Sequence, residues 1–153
     1  MAEGVFNSEV EKSEKLRDSF ISSSAGLYAY DGEGAHPKAI QMLKSEWGID
    51  ISSHQSQTVS KELLNESDII LVMTRGHKKE LISRFDIDKQ KVFTLKEFVA
   101  GIEPQLSEKT NDLDVVVDIS DPFGSSMDVY KRCALEIKAA IDKMIDKLVE
   151  GQN

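Results

Sequence analysis

The apolar residues of the chain fall into strand-like runs separated by segments of helical spacing. Residues 69–73 are a continuous apolar run between polar neighbours, which predicts a strand buried on both faces of a parallel sheet. Residues 21–26 and 91–95 predict two further short strands. Strands that alternate with helices indicate an α/β domain with right-handed crossovers. In such a domain the ligand site lies at the carboxyl ends of the strands.

Helix signals occupy the segments between these strands. Residues 2–20 carry apolar side chains at a spacing that places them on one side of a helix. A second helix is predicted to begin at residues 36–37, with proline in its first turn, and to end at Gly48. Ser60 and Thr74 are predicted to cap two shorter helices, because their hydroxyl oxygens accept hydrogen bonds from free backbone N–H groups.

The last part of the chain predicts a long helix that Ser125 or Ser126 caps. Its apolar stripe, at helical spacing, consists of Val129, Cys133, Ile137, Ile141, Met144, Ile145 and Leu148. Cys133 is the single cysteine of the chain. We interpret it as a core thiol rather than a nucleophile, because no basic residue is placed to ionise it.

Composition and charge narrow the function classes. A length of 153 residues, with 40% hydrophobic and 30% charged residues, indicates one folded domain. No apolar run approaches the ~20 residues that span a bilayer, and a single cysteine fits a reducing cytoplasm. With 19 basic against 27 acidic residues and a net charge of −8, neither a nucleic acid nor an anionic membrane is expected as a partner. We expect a cytoplasmic enzyme or binding module, as a monomer or a weak dimer.

The segment that most strongly suggests a catalytic role is Asp-Pro-Phe-Gly at residues 121–124. Asp121 is held by a proline on a loop at the predicted rim of the sheet, and the ring of Phe123 beside it keeps water away. A carboxyl group in that setting can serve as a general acid. The alternative is an ordinary turn before a helix, in which Asp121 makes only local hydrogen bonds. The spacing leaves both interpretations open.

The histidines do not form a metal-binding pattern. His36 is interpreted as a helix-start residue and His77 as a helix-surface residue, whereas His54, in a polar loop, is kept as a site candidate. Residues 101–120 are predicted to form a long loop, either a recognition lid or a disordered segment. The acids of this loop are interpreted as a solvated face: Glu103, Glu108, Asp112, Asp114 and Asp118.

Taken in chain order, a series of short segments resembles the low-molecular-weight protein tyrosine phosphatase family over nearly the whole chain. These segments are residues 1–6 (MAEGVF), 24–26 (SAG), 36–40 (HPKAI), 48–52 (GIDIS), 68–74 (DIILVMT) and 121–124 (DPFG). The first is similar to the segment directly after the family's phosphate-binding loop, and the last to the loop that carries its general acid. Each segment alone is weak evidence for the family, whereas the order of the segments along the chain is specific to it.

Within the family, the resemblance is greatest to the bacterial protein-arginine phosphatases. It is carried by residues 92–99 (VFTLKEFV), and by residues 73–74 together with 77–78. Phe123 also stands where tyrosine-specific members usually carry tyrosine. A phenylalanine there offers an apolar wall without a hydroxyl group, which suits a phosphoguanidinium substrate.

The resemblance implies a fold, an activity and a set of site residues. The fold is one α/β domain over residues 1–153, with three α/β/α layers and a four-stranded parallel sheet of strand order 2-1-3-4. The activity is hydrolysis of phosphorylated proteins through a cysteinyl-phosphate intermediate, without a metal or other cofactor. Asp121 is implied as the general acid, Phe123 as a substrate-binding wall and Ser24 as a support for the phosphate-binding loop.

The family's first strand and its C-x5-R-S loop do not occur within residues 1–153. Cys133 does not replace the loop cysteine, because it belongs to the final helix. Without the first strand the sheet has an interior gap, and each unpaired backbone group there costs roughly 1–3 kcal/mol. We therefore expect about a dozen residues, one strand and the loop, before Met1.

Two other functions stay open at the level of sequence. A relative without the nucleophile would be catalytically inactive and would act as a binding module for a phosphoprotein or another partner. Arsenate reductase chemistry is a lesser alternative, since it needs cysteines beyond the nucleophile and Cys133 lies in a core stripe.

Overall fold

The computed structural model describes residues 1–104 and 117–151. They belong to two compact units, one of Met1–Thr58 with Asp121–Asn153 and the other of Val59–Ser120. The predicted lid or disordered loop falls largely on residues 105–116, which lie outside the described residues together with Glu108, Asp112 and Asp114. None of the helices in the described ranges is long and apolar enough to cross a membrane.

The first unit is built on three helices: α1 (Ala2–Lys12), α2 (Pro37–Trp47) and α6 (Met127–Gly151). Both α1 and α2 pack against α6, and their apolar faces form the core of this unit. The buried side chains of α6 are Tyr130, Cys133, Ala134, Ile137, Ala140, Ile141 and Met144. Their spacing of three to four residues confirms the predicted amphipathic helix.

Helix α1 is shorter than the predicted helix over residues 2–20. It ends at Lys12, and Ser13 has extended backbone angles. Residues 11–15 bring no apolar side chain to the core, so packing does not extend the helix through them. The chain turns instead, and Leu16 is fully buried.

Helix α2 has the predicted ends. The Nδ1 atom of His36 accepts a hydrogen bond from the Lys38 N–H group, which caps the helix, and Pro37 occupies its first turn. At the other end Gly48 adopts a left-handed conformation with φ 69°, which glycine reaches without a steric penalty.

The predicted strand over residues 21–26 is not a regular strand. Ile21 is fully exposed, and the single ladder contact of the segment is an isolated parallel bridge between Gly26 and Thr58. An extended segment becomes a strand only when a neighbouring strand takes up its hydrogen bonds. Here the backbone of the segment is bonded at its end, where the Gly26 N–H group donates to the Gln57 carbonyl, and the Gln57 side-chain amide donates to the Ser24 carbonyl.

The second unit contains a two-stranded parallel sheet of β1 (Ile70–Val72) and β2 (Val92–Thr94), in which Ile70 pairs with Val92. This confirms two of the predicted strands and their parallel direction. Helix α3 (Lys61–Glu66) precedes β1, and α4 (Arg75–Arg84) follows it. The expected burial of β1 on both faces is wrong, because its residues are half-buried and only two strands pair within the described part of this unit.

The predicted helix caps of this unit are confirmed. The Ser60 side chain accepts a hydrogen bond from the Leu63 N–H group, and the Thr74 side chain from the His77 N–H group. A short 3-10 helix, Lys89–Lys91, leads into β2.

Helix α5 (Leu95–Ala100) follows β2 directly and was not expected from the sequence, which assigned Leu95 to the strand. Its start is a capping box, in which Thr94 accepts from the Glu97 N–H group and the Glu97 carboxylate accepts from the Thr94 N–H group. The Thr-x-x-Glu spacing of residues 94–97 is the sequence signal for this helix.

Candidate active site

The loop of residues 121–126 precedes α6 and is closed by its own hydrogen bonds. The Oδ1 atom of Asp121 accepts from the Phe123 N–H group at 2.9 Å, and the Ser125 N–H group donates to the Pro122 carbonyl at 3.0 Å. Gly124 adopts φ 74°, a left-handed conformation that glycine takes at no steric cost. The loop therefore presents Asp121 and Phe123 as neighbours on the surface.

The Asp121 carboxylate is exposed and only partly engaged. Its Oδ1 atom is held by the backbone, whereas its Oδ2 atom accepts no hydrogen bond from any residue in the described ranges. The local turn and a chemical role are therefore compatible, because the first uses one oxygen and leaves the other to exchange a proton with a ligand.

Phe123 is 74% exposed, and its ring meets the ring of His36 edge-on, with centroids 5.8 Å apart and an interplanar angle of 79°. One side of the phenylalanine is thus supported by the protein. The rest of the ring is an apolar surface beside the Asp121 carboxylate.

Tyr130 lies beneath this loop on the first turn of α6. Its ring stacks on His36 with centroids 5.2 Å apart and an interplanar angle of 22°. Burial raises the pKa of the Tyr130 phenol, and the charges of Asp121 and Cys133 raise it further. The phenol therefore stays protonated at neutral pH and is a neutral neighbour of the loop.

Ser24 lies in a different cluster of the same unit. Its hydroxyl donates to the Glu3 carboxylate at 2.5 Å, and the same carboxylate oxygen lies 3.7 Å from Nδ1 of His54. These residues line a cleft of about 770 Å³ between α1 and residues 48–57. No hydrogen bond joins Ser24 to Asp121 in the part of the chain that the structure describes.

The sequence identified His54 and Ser24 separately and did not identify Glu3, which bridges them. Residues distant in the chain form this cluster, so a local pattern cannot reveal it. The only signal was the position of Glu3 at the acidic first turn of α1, where a carboxylate is favoured.

Cys133 is buried in the core of the first unit. Burial raises the pKa of its thiol, the charges of Glu136 and Asp121 raise it further, and these effects outweigh the opposing charge of the N-terminus. A thiol with a raised pKa is a poor nucleophile at neutral pH. This confirms the interpretation of Cys133 as a core residue.

The second unit has a charged cluster that the sequence did not indicate. Glu97 is fully buried, and its carboxylate pairs with Lys78 at 3.1 Å and with Arg75 at 3.4 Å. Asp118, which was interpreted as part of a solvated face, is exposed but accepts from the Arg75 N–H group at 2.8 Å. It therefore satisfies a free N–H group at the start of α4.

A metal site is not formed by these side chains. Within residues 1–104 and 117–151, no group of three or more histidine, cysteine, aspartate or glutamate side chains is placed to hold a metal ion. His77 is exposed on α4, as its spacing predicted.

Sequence comparison finds a family and several known proteins that are similar to this chain. The family model described as Low molecular weight phosphotyrosine protein phosphatase matches residues 1–153. The chain is 37% identical over 129 residues to the Protein-arginine-phosphatase of Geobacillus stearothermophilus, which covers 84% of this chain and 77% of that protein. It is 34% identical over 148 residues to the Protein-arginine-phosphatase of Bacillus subtilis (strain 168), covering 97% of this chain and 87% of that one.

A solved structure has the same fold. The low molecular weight protein tyrosine phosphatase from T. tengcongensis superimposes with a TM-score of 0.79 at 36% sequence identity, covering 95% of this chain and 88% of that one.

Proposed function

The chain belongs to the low molecular weight phosphotyrosine protein phosphatase family, and we propose that the protein is a cysteine-dependent protein phosphatase in which Asp121 is the general acid. Its proposed substrates are phosphorylated proteins, with phosphoarginine first and phosphotyrosine second. Support for the arginine preference comes from the two relatives named as protein-arginine phosphatases.

The main support for this proposal is the geometry of the Asp121 carboxylate. The Phe123 N–H group fixes Oδ1 at 2.9 Å, so Oδ2 has a defined direction while, within the described residues, it has no hydrogen-bond partner of its own. A general acid needs this combination, because the proton must be delivered along a fixed line to the leaving group.

The proposed reaction has two steps. A thiolate attacks phosphorus, the S–P bond forms as the bond to the leaving nitrogen or oxygen breaks, and Asp121 gives its proton to the leaving group. The Asp121 carboxylate then takes a proton from a water molecule that attacks phosphorus. The S–P bond breaks, and phosphate and thiolate are released.

The proposal assigns two supporting roles to other residues. Phe123 is the apolar wall against which the substrate side chain packs, and Ser24, bonded to Glu3, supports the phosphate-binding loop. We further propose that the protein is a single domain with the family's four-stranded sheet of order 2-1-3-4. In the described residues, β1 and β2 are the strands of this sheet that pair.

Whether the protein has a reactive cysteine decides between a phosphatase and a binding module. Cys133 is buried with a raised pKa, so the thiolate must come from another cysteine, and residues 1–153 contain none. Residues 1–153 alone should therefore be compared with the full-length protein, meaning the protein as its own gene encodes it.

We expect the full-length protein to hydrolyse phosphoarginine peptides and residues 1–153 alone not to do so. The opposite result has three parts: the intact mass of the natural protein equals that of residues 1–153, the protein does not hydrolyse phosphoarginine peptides, and it binds a phosphoprotein specifically. That result would instead establish the binding module.

The role of Asp121 is tested with Asp121→Asn in the full-length protein. We expect kcat/KM for a poor leaving group such as phenyl phosphate to fall about 10²- to 10⁴-fold, because the amide cannot donate the proton. Asp128→Asn, an exposed aspartate in the first turn of α6, is the control and should keep the wild-type rate. An Asp121→Asn rate equal to that of this control across the pH range would remove the acid role.

The role of Phe123 is tested with Phe123→Tyr. The added hydroxyl brings a hydrogen-bonding group to the apolar wall, so we expect the ratio of kcat/KM for phosphoarginine over phosphotyrosine peptides to fall about two- to tenfold. An unchanged ratio, with both rates retained, would show that this ring does not contact the substrate side chain.

A further inference from the structure

The imidazole of His36 lies between two aromatic rings from different parts of the chain. It stacks on Tyr130 of α6 at 5.2 Å and meets Phe123 of the 121–126 loop edge-on at 5.8 Å. Tyr130 is 3% exposed and belongs to the core, whereas Phe123 is 74% exposed. His36 therefore connects an exposed loop residue to a buried one.

Lys38, two residues further along the chain, makes a second contact with the same loop. Its ammonium group donates to the Ser125 carbonyl at 2.5 Å and lies 5.8 Å from the centroid of the Tyr130 ring. The N–H group of Ser125 closes the loop on Pro122. Lys38 thus fixes the peptide segment at which the loop closes.

The other anchors of the loop lie at Pro122, which is buried, and at the Ser126 carbonyl, which accepts from the Val129 and Tyr130 N–H groups. The loop's internal bonds are the two that close its turns, from the Phe123 and Ser125 N–H groups, and Asp121, Phe123 and Gly124 are exposed. Loops with few buried contacts open at low free-energy cost. A misplacement of about 1 Å in a catalytic group lowers a rate by about 10²-fold, so contacts from outside the loop matter for its chemistry.

We propose that His36 and Lys38 are positioning residues that hold the 121–126 loop in the geometry from which Asp121 donates its proton. His36 fixes the ring of Phe123, and Lys38 fixes the carbonyl of Ser125. This inference rests on the proposed function, since the geometry of the loop affects turnover only if Asp121 is the general acid.

His36 has a second task that the experiment must separate from the first. Its Nδ1 atom caps α2 by accepting from the Lys38 N–H group at 3.2 Å. His36→Asn keeps a capping acceptor and removes the ring, whereas His36→Phe keeps the ring and removes the acceptor. Lys38→Met keeps the aliphatic stem and removes the donor. Lys44→Met is the matched control, because Lys44 lies on the same helix and pairs with Asp50 at the surface.

Two measurements on the full-length protein report on the loop. Amide hydrogen exchange of Phe123 and Ser125 reports the opening of the loop, because both N–H groups are hydrogen-bonded within it. The ratio of kcat/KM for phenyl phosphate over 4-nitrophenyl phosphate reports proton donation, because the nitrophenolate leaves with little help from an acid.

We expect His36→Asn and Lys38→Met to accelerate exchange of both amides about tenfold and to lower the kcat/KM ratio about tenfold. His36→Phe should restore both values despite a lower melting temperature, and Lys44→Met should match the wild type. Loss of stability alone would lower the melting temperature and leave the ratio of the two substrates unchanged.

Exchange rates and a substrate ratio that remain at wild-type values in His36→Asn and Lys38→Met would overturn the inference, even if Asp121→Asn is impaired. A wild-type protein without phosphatase activity would overturn the proposed function. In that case the exchange rates alone decide whether His36 and Lys38 hold the loop.

Discussion

Glu97 has no exposed surface, and both of its carboxylate oxygens accept hydrogen bonds. One oxygen accepts from the Lys78 ammonium group and the Thr94 N–H group, and the other pairs with Arg75. Lys78 is only 6% exposed, and the Glu97 carboxylate compensates its charge at 3.1 Å. A buried charge without compensation is strongly destabilising.

We therefore expect Glu97→Gln to lower the free energy of unfolding by about 3–5 kcal/mol, because it removes the negative charge that faces the buried Lys78 ammonium group. Urea unfolding measures this loss. The control is Glu80→Gln, since Glu80 forms a more exposed i,i+4 pair with Arg84, and such pairs contribute about 0.3–0.5 kcal/mol. Equal losses in the two variants would contradict the dominant role of the buried cluster.

Elements that depend on local chemistry were predictable from the sequence. The caps at His36, Ser60 and Thr74 are made by side chains that bond N–H groups two or three residues away, and such patterns are visible in a short string. The parallel pair of β1 and β2 followed from apolar runs.

The parts that failed depend on distant residues. The strand expected over residues 21–26 requires a paired neighbour, and the half-burial of β1 is set by what packs on it. The same holds for side chains: the Asp121 loop was identified from a short string, whereas the Glu3 bridge joins Ser24 and His54 across the sequence.

Helix α1 contacts residues 49–51 so closely that one position admits no side chain. A Cβ atom at Gly4 would lie 2.5 Å from Cγ2 of Ile51, a side chain that is 8% exposed. A Cβ atom at Gly76 of α4 would meet its nearest neighbour, Oγ1 of Thr74, at 3.5 Å, an ordinary contact distance.

We expect Gly4→Ala to destabilise the protein and Gly76→Ala to stabilise it. Alanine gains about 1 kcal/mol of helix propensity over glycine inside a helix, whereas overpacking costs about 1–3 kcal/mol. The net change at Gly4 is a loss of up to about 2 kcal/mol, from the difference between these two terms. Thermal unfolding of both variants measures the two signs, and a higher melting temperature for Gly4→Ala would show that Ile51 moves aside freely.

At the scale of the whole chain, the stability of the fold depends on pH, because two carboxyl groups have a lower pKa in the folded protein than in the unfolded chain. Burial alone would raise the pKa of Glu9, but the hydrogen bonds and charges of Lys12 and Lys138 outweigh it, so that its pKa lies below 4.5. Hydrogen bonds from Ser52 and Lys44 lower the pKa of Asp50 to about 2. In both cases the folded carboxyl binds protons more weakly than the unfolded one.

The contribution of these two groups to stability is therefore fully present above the unfolded pKa values of 4.5 and 3.8 and is lost as the pH falls through the folded values. We expect the urea midpoint to fall steadily between about pH 4.5 and pH 2. Asp50→Asn removes one group from this balance, so it should be less stable than the wild type at pH 7. The difference should shrink as the pH falls towards 2, where Asp50 is about half protonated in the folded protein as well.

The matched control for Asp50→Asn is Asp146→Asn, an exposed aspartate on α6, which should follow the wild-type curve at every pH. A constant difference between Asp50→Asn and the wild type from pH 7 to pH 2 would mean that the aspartate acts through its shape and hydrogen bonds, not through its charge. A converging difference, by contrast, ties the acid sensitivity of this turn to the ionised carboxylate that holds Ser52 and Lys44.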